Sequence, residues 1–92
     1  MSQHILVVED DEMIQAFVKL HLENEGYRVS IAGTGADMFA VFATGDVSLI
    51  LLDLGLPDGD GLTLAQQVRE QSDVPIIILN CLAAEAMAAN AG

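Results

Sequence analysis

Apolar residues along the chain form short runs that alternate with segments of helical periodicity. Four runs have the length and composition of strands: 4–8, 27–32, 47–52 and 76–79. Three intervening segments have apolar residues at helical spacing: 12–23, 34–44 and 62–70. This order predicts parallel strands joined by helical crossovers, an α/β three-layer sandwich with the sheet in the middle.

The helical spacing also predicts which side chains face a core. The predicted inward positions are Ile14, Phe17, Val18 and Leu22 in the first helix and Leu62, Leu64, Ala65 and Val68 in the third. Met13, Met38 and the phenylalanines fit the same spacing, so we interpret them as packing residues rather than as a cofactor site. The Ala-rich segment 83–91 is compatible with a weak helix.

The length of 92 residues predicts one small domain, residues 1–92, without an output domain. Its hydrophobic content of 52% argues against disorder, although 14 acidic and 3 basic residues give a net charge of −11. That charge disfavours direct binding to nucleic-acid phosphates and favours cationic partners, divalent metals included.

The single cysteine, Cys81, cannot form an internal disulfide, which is typical of a reducing compartment. No apolar run approaches the roughly 20 residues that span a bilayer, and the N-terminus lacks a signal-peptide pattern. We therefore expect a cytoplasmic protein without a membrane segment.

Carboxylates follow two of the predicted strands. Glu9 and Asp10 come directly after the first strand, and Asp53 follows the third. Ligands of parallel sheets bind at the carboxyl ends of the strands, so these acids are expected to meet there if the two strands are neighbours. Clustered carboxylate oxygens favour a hard ion such as Mg²⁺. The alternative is that acids at strand ends are ordinary solvated residues, and for Asp11 and Glu12 we favour a simple role in opening the first helix.

Two motifs carry a resemblance to a known family. The stretches ILVVEDDE (5–12) and LILLDLGLPDGDGL (49–62) resemble the receiver domain of bacterial two-component response regulators. The similarity is greatest to the branch in which a winged-helix DNA-binding domain follows the receiver, and it covers residues 4–79. It implies a flavodoxin-like fold with strand order 2-1-3-4, in which the family's fifth βα unit is missing.

The resemblance also implies functional residues. Asp53 would accept a phosphoryl group from a histidine kinase, while Glu9 and Asp10 would hold Mg²⁺ with the Asp53 carboxylate and the backbone carbonyl of Gly55. Pro57 and Gly61 would shape the loop that carries this carbonyl. Phosphorylation would switch an output, transcription regulation in the full-length protein.

The chain departs from the family pattern after the fourth strand. Asn80 occupies the position of a Ser or Thr that contacts the phosphoryl group, and the family lysine after a fifth strand is absent. The fourth strand would then be an exposed apolar edge, so we expect homo-oligomers that form through it.

Two other functions remain open. The first is a degenerate receiver that associates with itself or binds partners without phosphorylation, which Asn80 favours. The second is an aspartate-nucleophile phosphatase of the haloacid dehalogenase type. Those enzymes use a second Asp two residues after the nucleophile, where this chain has Gly55, so we expect that the chain is not an enzyme.

Overall fold

The structure is a computed structural model that describes residues 3–53, 55–56 and 59–79. The elements of this part are β1 (His4–Val8), α1 (Glu12–Asn24), β2 (Arg28–Ala32), α2 (Gly35–Phe42), β3 (Leu49–Asp53), β4 (Gly55–Leu56), β5 (Gly59–Asp60), α3 (Gly61–Arg69) and β6 (Ile76–Leu79). All seven predicted strands and helices are present, with ends that shift by at most two residues. The predicted loop after Asp53 contains one more feature, the antiparallel pair β4–β5. The predicted helix 83–91 lies outside the described residues.

Four strands form a parallel sheet in the order β2-β1-β3-β6. Strand β1 pairs with β2 on one side and with β3 on the other, so that Val8 lies opposite both Ala32 and Leu52. Strand β6 pairs with the far side of β3. This arrangement confirms the predicted order 2-1-3-4, and it places the carboxyl ends of all four strands at one edge.

The main core lies on the sheet face that α2 and α3 cover. Leu6, Val8, Ile50 and Leu52 project from the central strands to this face and are almost completely buried, as are Met38 of α2 and Val68 of α3. Across the sheet, the connection from β1 to β2 runs in one direction, and the connections that lead to β3 and β6 run in the other. Because such crossovers are right-handed, α1 lies on the sheet face opposite to α2 and α3.

Helix α1 corrects one prediction. No residue of this helix is buried: Phe17 is 64% exposed and Met13 is 83% exposed, so neither is a core residue. Ile14 was also predicted to face the core, but it is 39% exposed. Val18 and Leu22 are half-buried, and Met13, Phe17 and Leu20 form an exposed stripe. The apolar residues at helical spacing on α1 therefore cover a wider part of the helix surface than the part that the sheet covers.

Leu62 was also predicted to face the core, but its side chain is 54% exposed in the first turn of α3. It borders a shallow groove with a volume of about 350 Å³, lined by Leu62, Ala65, Gln66, Arg69, Ile76 and Ile78. Leu64 and Val68 of the same helix are buried, as predicted, so only the first predicted inward position of α3 fails.

Local sequence signals define the helix ends. Asp11, Thr34 and Asp60 are the N-caps, and each side chain accepts a hydrogen bond from a backbone N–H of the first turn. Gly26 after α1 has a φ of 91° and Gly45 after α2 has a φ of 78°, a region in which a residue with a Cβ is strained. Both helices therefore end next to a position that favours glycine.

The two leucines of α3 allow a matched test of the core. Replacing buried Leu64 with Ala is expected to lower the free energy of unfolding by about 2–4 kcal/mol, because it leaves a cavity against the sheet. The same change at exposed Leu62 is expected to cost less than about 1 kcal/mol. Urea denaturation of both variants checks this, and equal losses would contradict the assigned orientation of α3.

Candidate functional site

Three acidic side chains meet at the carboxyl edge of the sheet. The carboxylate oxygens that Glu9, Asp10 and Asp53 can offer to a metal ion all lie within 4.8 Å of one another. Glu9 is 2% exposed and Asp53 is 1% exposed, whereas Asp10 faces solvent. Among the residues that the structure describes, this is the one group of three or more metal-ligating side chains. The predicted convergence of these acids is therefore confirmed.

The strand register explains the convergence. Val8 at the end of β1 lies beside Leu52 of β3, so the next residues along the chain, Glu9 and Asp53, emerge next to each other. Parallel strands present their carboxyl ends on the same side, which gives one open edge for both acids. The site thus follows from the pairing of β1 with β3, two strands with 40 residues between them along the chain.

Backbone hydrogen bonds fix the position of Glu9. Its N–H donates to the carbonyl oxygen of Ala32 at 2.9 Å, which extends the β1–β2 pairing by one residue. The side-chain amide of Gln15 donates to the carbonyl oxygen of Glu9. The Glu9 carboxylate accepts a hydrogen bond from the N–H of Asp11, with 3.0 Å between the nitrogen and Oε1.

Asp11 and Glu12 have the structural role that we favoured. The Asp11 side chain accepts hydrogen bonds from the N–H groups of Met13 and Ile14, at 2.8 and 3.2 Å, and so caps α1. Glu12 lies in the first helical turn, where a negative charge interacts favourably with the helix dipole. Neither residue belongs to the three-acid cluster.

Burial and like charge perturb the titration of Glu9. The pKa of this carboxyl is raised from 4.5 to about 7, mainly because burial desolvates it, against the lowering effect of the Asp11 N–H. The negative charges of Asp53 and Asp10 and a hydrogen bond with the Asp10 side chain contribute to the same rise. The cluster therefore holds less negative charge at neutral pH than three free carboxylates would.

The donor set fits a hard divalent cation such as Mg²⁺. Three carboxylates lie within reach of one ion, and a positive charge would relieve the repulsion that raises the pKa of Glu9. A Cβ atom placed on Gly55 would lie 4.0 Å from Oδ2 of Asp53, so the backbone after β3 runs close to the cluster. Whether the Gly55 carbonyl is a metal ligand stays a prediction. Asn80 and Pro57 lie outside the described residues.

Other polar groups lie away from the cluster. Arg28 pairs with Asp46 at 2.8 Å, and Arg69 donates to the carbonyl oxygen of Ser72 at 3.0 Å. His4 is a buried strand residue whose Nε2 lies 2.6 Å from the Ser30 hydroxyl, and His21 stacks edge-on against Phe17. Both histidines are strand or helix residues whose partners lie outside the acidic cluster.

Sequence reasoning did not identify Gln15 as part of the site. The only signal was a polar residue beside the inward positions Ile14 and Val18 of α1. Its role depends on the hydrogen bond between its side chain and the Glu9 carbonyl oxygen, and helical periodicity does not predict such a contact.

Comparisons with known proteins agree with the fold. Residues 5–91 match the family described as the response regulator receiver domain. The TorCAD operon transcriptional regulatory protein TorR of Escherichia coli K12 is 42% identical over 79 residues, which are 86% of this chain and 34% of TorR.

Solved structures show the same similarity. The non-phosphorylated HemR receiver domain from Leptospira biflexa has a TM-score of 0.80 and 36% identity, over 86% of this chain and 64% of the HemR chain. The response regulator TrrA from Thermotoga maritima, in complex with Mg²⁺ and BeF, has a TM-score of 0.80 and 34% identity, over 85% of this chain and 69% of that one.

The chain spans about a third of the length of the curated relative TorR. In its described part, no helix is long and apolar enough to cross a membrane.

The raised pKa of Glu9 predicts a pH dependence of stability without metal. Between about pH 4.5 and 7 the folded chain keeps a proton on Glu9 that the unfolded chain has lost, so the free energy of unfolding falls as pH rises. The loss is up to about 3 kcal/mol, at 1.36 kcal/mol for each pKa unit. Glu9→Gln removes this loss, so the variant is expected to be more stable than the wild type at pH 8.

Urea denaturation at pH 4.5 and pH 8 in the presence of a chelator measures this effect. Glu23→Gln, the same substitution at an exposed position of α1, serves as the control and is expected to behave like the wild type. A Glu9→Gln variant with the wild-type pH profile would show that Glu9 is not the titrating group.

Proposed function

The chain belongs to the response regulator receiver domain family, and on this premise we propose that Asp53 is the acceptor of a phosphoryl group from a partner histidine kinase. The observation that carries the proposal is the placement of Asp53. Its carboxylate ends β3, is 1% exposed and lies within 4.8 Å of the oxygens of Glu9 and Asp10. A buried acid among other acids, at the edge where parallel sheets bind ligands, is suited to phosphoryl chemistry.

The proposed step is a nucleophilic displacement at phosphorus. A carboxylate oxygen of Asp53 attacks, the new O–P bond makes an acyl phosphate, and the bond from phosphorus to the donor nitrogen or oxygen breaks. The electron pair of that bond stays with the donor. Phosphorylation replaces a carboxylate with a group that carries more negative charge and more acceptor oxygens.

Glu9, Asp10 and Asp53 would hold Mg²⁺, with the Gly55 carbonyl as a further ligand. The ion would neutralise negative charge on the phosphoryl oxygens. Two observations support this assignment: the donor set is all oxygen, and TrrA, a relative with the same fold, has been solved with Mg²⁺ and BeF. Asp11 and Gln15 hold Glu9 in place from α1.

The proposed consequence is a switch whose output is transcription regulation in the full-length protein. TorR, which is 42% identical, is a transcriptional regulatory protein, and this supports the assignment. The chain would act in the cytoplasm as a signalling module rather than as an enzyme. Gly55 stands where an aspartate-nucleophile phosphatase has its second Asp, which supports the non-enzymatic assignment.

Asn80 favours a second candidate function, a receiver that binds partners without being phosphorylated. The residue occupies the position of a family Ser or Thr, and an amide has a different reach from a hydroxyl. The two functions differ in one measurable property, the reactivity of Asp53.

Strand β6 further leads us to propose homo-oligomers. It is the last strand of the described sheet on its side, and Ile77 in its middle is 50% exposed. An open strand edge with apolar side chains recruits another chain, and the proposed partner is the β6 edge of a second copy.

Acetyl phosphate with Mg²⁺ is expected to add one phosphoryl group to the wild-type chain, since Asp53 can attack a small donor directly. Intact-mass spectrometry measures the adduct. Asp53→Asn is expected to abolish it, and removal of Mg²⁺ is expected to reduce it strongly. Asp73→Asn, a change at an exposed acid outside the cluster, is the control and is expected to react normally. No adduct on a folded wild-type chain would favour the non-phosphorylated binding module.

Light scattering after size exclusion tests the oligomer. The wild-type mass is expected to rise with concentration, and Ile77→Lys is expected to keep the chain monomeric because it places a charge on the paired edge. Leu62→Lys, which changes a similarly exposed residue on α3, is expected to leave the association intact. A sharp monomer peak for the wild type at high concentration would contradict the proposed association.

A further inference from the structure

We propose that Gln15 is a positioning residue for the acidic cluster, acting through the backbone of Glu9; this role rests on the proposed metal site. Gln15 lies on α1, six residues after Glu9, and its side chain is half-buried. Its amide nitrogen Nε2 donates to the Glu9 carbonyl oxygen.

Helix geometry makes this contact possible. The N–H of Gln15 donates to the carbonyl oxygen of Asp11 at 3.0 Å, so Gln15 begins the regular hydrogen bonding of α1. Long helical side chains point back towards the helix N-terminus. The side chain of Gln15 therefore extends past the cap residue towards the end of β1, where Glu9 lies.

The amide also lies near a second element. A Cβ atom on Gly33, which follows β2, would lie 3.7 Å from Nε2 of Gln15, a normal van der Waals distance. The amide therefore lies between the end of β1 and the turn after β2, at the edge that carries the cluster.

Gln15 completes the set of contacts that orient Glu9. The Glu9 N–H is bound by Ala32 of β2, and Oε1 accepts from the N–H of Asp11. With the Gln15 amide on its carbonyl, Glu9 is held through its N–H, its C=O and one carboxylate oxygen. A carboxylate oxygen of Glu9 also lies within 4.8 Å of the oxygens that Asp10 and Asp53 can offer to a cation. Groups that hold a metal ligand in this way typically change metal affinity by 10–100-fold when they are removed.

The chemistry of the contact explains why an amide suits this position. The amide is a neutral donor, so it binds the carbonyl without adding charge beside three acids. A lysine or an arginine would bring a positive charge that competes with a cation, and a glutamate would add a fourth negative charge. Gln15 thus positions Glu9 without changing the net charge of the cluster.

The test compares Mg²⁺ affinity across variants by isothermal titration calorimetry. Gln15→Met keeps the length and helix propensity of the side chain but removes the donor, and is expected to weaken Mg²⁺ binding about 10-fold. Gln15→Ala is a second variant with the same expected direction, in case the methionine packs poorly. Gln67→Met, the same substitution at an exposed position of α3, is expected to bind as the wild type does.

A readout without metal separates positioning from general stability. The melting temperature of Gln15→Met in a chelator is expected to fall by several degrees, because one hydrogen bond between α1 and β1 is lost. The increase produced by Mg²⁺ is expected to shrink as well, which a purely structural role would not cause. Equal Mg²⁺ affinity in the wild type and both Gln15 variants would overturn the positioning role alone. A wild-type chain that binds no Mg²⁺ would overturn the proposed metal site, and the positioning role with it.

Discussion

The parallel pairing of β1 with β3 is the constraint on which the described site depends. It brings Glu9 and Asp53 to one edge of the sheet, almost fully buried, although like charges in such a place repel each other strongly. Favourable packing of the apolar strands must offset this repulsion. The raised pKa of Glu9 reflects the cost, because the folded chain holds a proton that the same residue would lose in water. Binding of a cation, or a change of charge at Asp53, would therefore change the electrostatic repulsion within the cluster.

The helices are attached to the sheet in two different ways. Helices α2 and α3 are held by the apolar core, where Met38 and Val68 are fully buried. Helix α1 has no buried residue, and polar contacts tie its first turns to the end of β1 through Asp11 and Gln15. Because these contacts end on Glu9, changes in the charge of the cluster are expected to act on α1 more directly than on the other two helices.

Membership of the receiver family and the local geometry support each other. The family assignment covers residues 5–91, and in the described part three carboxylates meet at one edge of the sheet, which supports the proposed phosphoryl transfer to Asp53. The family's function is not simply assigned to this chain, because the sequence departs from the family pattern at Asn80. The proposed reactivity at Asp53 and the proposed switching of an output can therefore be tested separately.

Much of the fold was predictable because its signals are local. Runs of β-branched residues marked the strands, with 76–79 found at the predicted bounds, and N-caps and two glycines marked the helix ends. The convergence of Glu9, Asp10 and Asp53 followed from one rule about parallel sheets. The details of packing were less predictable: Phe17 and Leu62 have helical spacing and yet are exposed.

The sequence by itself determined the order of elements and the identity of the acids, since both depend on residue type and spacing along the chain. Only the tertiary structure decided which side of α1 meets the sheet, how deeply Glu9 is buried and that Gln15 reaches its carbonyl. The physical reason is that burial, pKa and hydrogen bonding between elements depend on distances in space. Those distances depend on residues that are far apart in sequence, so a local sequence pattern does not predict them.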